Sequence, residues 1–72
     1  RSEFRNIGEY ELLIWKGHKW VELRLHRFIN GELIARKKLG KDECDEARIR
    51  AFLVRADPLL ETMPFGVQKE GA

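Results

Sequence analysis

A chain of 72 residues, 43% hydrophobic and 36% charged, can enclose one small core and no second one, which limits it to a single domain. Its one cysteine, Cys44, permits no internal disulfide, and with two histidines it does not supply the four ligands usual in a structural zinc site. No apolar run approaches the roughly 18 residues of a membrane span and no signal-peptide succession is visible, so a cytoplasmic protein that binds no cofactor or metal is expected.

Arg1-Ser2-Glu3-Phe4 reads as a cloning remnant, and residues 1–8 as a lead into the domain. The segments EYELLIW at 9–15, KWVELRLHRF at 19–28 and ELIARKKL at 32–39 each alternate apolar and polar side chains, with glycine in the connections. They predict a three-stranded antiparallel meander. A two-residue turn at Gly17-His18 would set Ile14 opposite Val21, Leu12 opposite Leu23 and Tyr10 opposite Leu25 on the core side. At the second hairpin, a three-residue loop Ile29-Asn30-Gly31 with Gly31 in the left-handed position pairs Leu25 with Ala35 and Val21 with Leu39. It keeps charge out of the core apart from Lys37, whose apolar stem lets it lie near the edge.

The period changes in DECDEARIRAFLVRA, where Ile49, Phe52, Leu53 and Ala56 form one helical stripe, Asp42 is available as N-cap and Asp57-Pro58 ends the helix. The whole is an α+β domain over 9–58, a three-stranded antiparallel sheet packed on one face by a single C-terminal helix. Residues 59–72, with Pro64 and Gly66 and falling hydrophobicity, read as a flexible tail or linker.

Net charge is only +2, but residues 14–41 alone carry +6, from Lys16, Lys19, Arg24, Arg27, Arg36, Lys37, Lys38 and Lys41 against Glu22 and Glu32. Such asymmetry suggests a polyanionic or acidic partner. The sheet face turned away from the helix would hold Leu13, Trp15, Trp20, Arg24, His26, Phe28, Ile34, Arg36 and Lys38, with Glu11 and Glu22 among them. Trp15 and Trp20 would form a cross-strand pair, and Arg24 would lie directly across from Arg36, a like-charge pair that an anion between the guanidiniums relieves. Three readings fit this face: an ordinary solvated surface, a duplex-DNA contact in which cations meet phosphate and guanidiniums read guanine edges, or a docking or dimerisation patch built on the aromatics.

Lys19-Trp20, Arg24, the Asn30-Gly31 turn, ARKKLG at 35–40, DEAR at 45–48 and ADP at 56–58 together resemble the N-terminal arm-type DNA-binding domain of phage-type tyrosine recombinases, the integrases. The resemblance implies a module of a phage or mobile element active in DNA recombination, whose exposed sheet face enters the major groove. A double-stranded-RNA-binding domain shares the element order, but the acidic DECDE stands where its helix would be basic. The expected DNA-contacting set is Trp15, Lys19, Trp20, Arg24, His26, Arg36, Lys38 and Lys41, with duplex DNA as partner; the alternative partner is a protein or a second copy.

Enzymatic chemistry is not expected. Cys44 sits among carboxylates at a helix start, Tyr10 points to the core, His18 is a turn residue, and the paired carboxylates are explained by capping.

Overall fold

The computed structural model describes residues 2–66 in full and the backbone of 68–70. Strands β1 (Ser2–Ile7), β2 (Tyr10–Lys16), β3 (Trp20–Arg27) and β4 (Leu33–Gly40) precede helix α1 (Glu46–Ala56), and a three-residue strand β5 (Gln68–Glu70) follows. All pairings are antiparallel, in the order β4-β3-β2-β1-β5. The α+β class with one helix on one sheet face holds. The sheet, however, has four long strands where three were expected, and β1 occupies the stretch read as a lead and remnant.

β1 escapes a periodicity reading because its alternation is inverted. Its core-facing positions are Glu3, Arg5 and Ile7, of which only Ile7 is an apolar core residue, while Phe4 points to the other face. A Gly8-Glu9 turn with Gly8 at φ 55° closes the hairpin onto Tyr10, a conformation glycine reaches without a Cβ clash.

The second strand pair is shifted from expectation. Gly17 N–H donates to the Trp20 carbonyl at 3.0 Å, so His18-Lys19 form the turn instead of Gly17-His18. Moving the turn by one residue moves the register by two: Ile14 faces Leu23, Leu12 faces Leu25 and Tyr10 faces Arg27. A shift of two preserves the facing of every side chain, so the core membership survives. In the third hairpin the expected pairs Leu25–Ala35, Arg24–Arg36 and Val21–Leu39 are observed, and Gly31 has φ 70°. The loop is one residue longer than expected, since Arg27 N–H donates to the Glu32 carbonyl, and a bulge after Leu25 absorbs the extra residue.

Helix α1 starts one turn later than expected. Asp45, not Asp42, is the N-cap, its side chain accepting the Arg48 N–H at 2.8 Å, and Asp42 lies in a 3-10 turn over Lys41–Glu43. The stripe Ile49, Phe52 and Leu53 buries against Ile7, Leu12, Ile14, Leu23 and Leu25, with Ala56 packed at the margin. Each such side chain taken from water contributes ~1.5–3 kcal/mol.

The described part of the expected tail adds Leu60 to this core and packs Met63 and Phe65 against it. Asp57 N–H closes onto the Leu53 carbonyl and its side chain accepts the Leu59 N–H at 3.0 Å, turning the chain into a 3-10 segment Pro58–Glu61 that buries Leu60 to 1% exposure. Arg50 then donates to the carbonyls of Leu60 and Met63, and its guanidinium stacks 4.3 Å from the Phe65 ring centre. Of the residues expected to be loose, Val67, Gly71 and Ala72 lie outside the described residues, as does Arg1 of the lead.

Candidate nucleic-acid interface

Because α1 and the Pro58–Glu61 segment cover one face of the sheet, the other presents its side chains in cross-strand rows. One row runs Phe4, Leu13, Arg24, Arg36; the next runs Ser2, Trp15, Glu22, Lys38; a third holds Asn6, Glu11 and His26. Trp20, opposite Gly40, stands at the end near the His18-Lys19 turn. Trp15 and Trp20 are 41% and 47% exposed, so this face is both aromatic and wet.

Arg24 and Arg36 lie directly across from one another, as expected, and the anion between them is internal. Glu22 receives the Arg24 guanidinium at 3.1 Å and lies 3.9 Å from Arg36 Nε, while its own side chain is only 14% exposed. The carboxylate thus gathers two guanidiniums, 41% and 60% exposed, into one donor cluster and offsets part of their charge. Sequence reasoning placed Glu22 on this face without seeing that it bridges the pair. The signal was present in the i, i+2 spacing of Glu22 and Arg24, which puts both on one side of a strand.

Lys38 Nζ lies 5.2 Å from the centre of the Trp20 ring, a cation–π contact that holds both side chains against the sheet. Lys19 and Lys41 meet at the same end, where Lys41 N–H donates to the Lys19 carbonyl at 3.1 Å. His26 Nδ1, 3.2 Å from the Gly31 carbonyl, donates to it in the tautomer that carries that proton and thereby ties strand to loop. Six of the eight residues expected at the site, Trp15, Trp20, Arg24, His26, Arg36 and Lys38, therefore share the open face, whereas Lys19 and Lys41 continue the helix-side rows of Val21 and Leu39 at the end of the sheet, and Lys41 lines a pocket with Val21 and Cys44.

Three details of the expected face are corrected. Trp15 pairs with Glu22, so the two tryptophans are not cross-strand partners. Ile34, displaced by the bulge, packs against the core, and Phe28 stands in the hairpin loop at 65% exposure. Sequence reasoning also missed Phe4, which adds an apolar side chain to the Leu13 row because β1 was not expected. Comparison with family models, curated proteins and solved structures returns no match to this chain.

Elsewhere the chemistry is quiet. Burial pushes the Cys44 thiol up, away from the reactive thiolate. Among the described residues no group of His, Cys, Asp or Glu side chains could hold a metal ion, and no helix is long and apolar enough to cross a membrane.

Proposed function

We propose that this domain binds duplex DNA through the open face of its sheet and carries out no catalysis of its own. The observation that supports this reading is the Arg24–Arg36 pair, aligned across β3 and β4 by Glu22 and left exposed beside Trp20 and Lys38. A two-stranded ribbon fits a major groove about 12 Å wide, where guanidiniums can take guanine O6 and N7. Arg24 and Arg36 are then the base readers, Lys38 holds a phosphate from the face and Lys19 and Lys41 from the end of the sheet, His26 lies at the margin, and Trp15 and Trp20 form the rigid platform. Glu22 opposes indiscriminate phosphate binding and keeps the two readers together. The resemblance to recombinase arm-binding domains points the same way.

Replacing both readers, Arg24→Ala with Arg36→Ala, should abolish sequence preference in a gel shift while the melting temperature stays nearly unchanged, because neither guanidinium is in the core. Binding should weaken with a log–log salt slope of roughly −0.9 per phosphate contact. Unchanged binding in the double variant removes the sheet face as the reader. Complexes that persist undiminished at about 0.5 M NaCl favour instead a protein partner or second copy docked on the exposed tryptophans.

A further inference from the structure

β4 ends the sheet, and among the described residues no strand pairs with its outer edge. The Lys41–Lys19 hydrogen bond fixes the phase of the β3–β4 ladder, so Leu39, Lys37 and Ala35 bond inward to β3 while the N–H and C=O groups of Arg36 and Lys38 point outward. Beside this edge, between β4 and α1, runs an open groove of about 700 Å³. It is lined by the apolar Ile34, Ala35, Ala51, Phe52 and Ala56 and by the cations Arg36, Lys37 and Arg55. No acidic side chain lines it, and neither Lys37 nor Arg55 is in an ion pair among the described residues.

We propose that this edge and groove form a second binding site, which takes an extended acidic segment of a partner protein as an added strand. Free backbone groups supply the affinity of strand addition, and alternate side chains of the guest drop into the groove. Charge decides the occupant. Three consecutive cations, Arg36, Lys37 and Lys38, make β4 repel a second β4, because antiparallel self-pairing about Lys37 would set Lys37 on Lys37 and Arg36 on Lys38. The same run attracts a strand in which Asp or Glu alternates with Val or Ile. Arg36 belongs to both surfaces, its side chain to the open face and its outward backbone groups to this edge, but strand addition does not need the DNA reading, since Lys37 and Arg55 lie on the helix side.

The probe is a fluorescein-labelled heptapeptide alternating Glu with Val, titrated into the full chain and followed by anisotropy and amide chemical shifts. Saturable binding is expected, with the Arg36 and Lys38 amides among those that shift most. N-methylation of the peptide's alternate amides should abolish it. Lys37→Glu with Arg55→Glu should weaken it at least tenfold. Both substituted side chains are exposed, and the N-methylated peptide tests the unaltered protein, so misfolding of the variant cannot produce the result. Absence of saturable binding, insensitivity to N-methylation, or shifts confined to the open face would overturn the proposal. So would sedimentation showing that β4 is already covered by a second copy.

Discussion

Tyr10 and Asp57 are 47 residues apart in sequence and 2.8 Å apart in space, the phenol donating to a carboxylate that also caps the Pro58–Glu61 segment. Tyr10→Phe removes that bond without changing the packing volume and should cost ~1–2 kcal/mol in urea denaturation at neutral pH. The donation to Asp57, together with burial, raises the Tyr10 pKa above its ordinary value of 10.0. A group whose proton is held more tightly when folded stabilises fully below the unfolded pKa, and that contribution is lost as pH rises through the folded one. Stability of the unmodified chain should therefore fall above pH 10 more steeply than that of Tyr10→Phe. Glu3 behaves in the opposite sense. Burial pushes its carboxyl up, but the Arg5 hydrogen bonds and the Lys16 charge together outweigh it, and the net shift is below the ordinary 4.5. Its contribution is present above pH 4.5 and disappears as acid protonates the folded carboxylate. Glu3→Gln should flatten the acid limb of the melting-temperature profile.

At the scale of elements, what could be read from the chain depended on whether local pattern and tertiary role agreed. The β3–β4 register was legible because charge exclusion from the core separated a three-residue loop from a two-residue turn, and an added loop residue was cancelled by the bulge. The β2–β3 register was not, since a slip by two residues keeps every side chain on its own face and pattern alone cannot detect it. The helix stripe was read correctly, whereas its start was misplaced because Asp42 and Asp45 are both good caps and only the chain path from β4 separates them. Alternation placed Trp15, Trp20, Arg24, His26, Arg36 and Lys38 on the open face, as observed, but not Lys19 and Lys41, and the bridging of Glu22 needed side-chain geometry. For the segment after α1, proline and glycine punctuated a sequence whose two adjacent leucines have opposite fates. Leu60, at 1% exposure, should lose ~2–4 kcal/mol on truncation to Ala, whereas Leu59, at 76%, should stay within ~0.5 kcal/mol. Equal effects of the two substitutions on the thermal midpoint would show that this segment does not dock as described.

The whole molecule draws its core from both ends of the chain. Ile7 from β1 and Leu60 beyond α1 are each 1% exposed and join the same cluster as Leu12, Leu23, Leu25 and Leu53. For a chain this small there is no second core to fall back on, so the margin of stability resides in these end contributions. Cutting the chain to residues 9–58, the span whose periodicity is strongest, deletes both side chains at once. It also turns β2 into an unpaired edge, removes the Leu60 and Met63 carbonyls that receive Arg50, and takes Phe65 from the Arg50 guanidinium. Each loss is on the order of 1–4 kcal/mol, against a total of about 5–15 kcal/mol for an ordinary domain. The fragment 9–58 should therefore show no sigmoidal thermal transition by circular dichroism and should bind a hydrophobic dye, whereas residues 2–70 should unfold in one cooperative step. A cooperative melt of the shorter fragment would mean that the meander and helix alone close the core and that β1 and the Pro58–Glu61 segment merely lean on it.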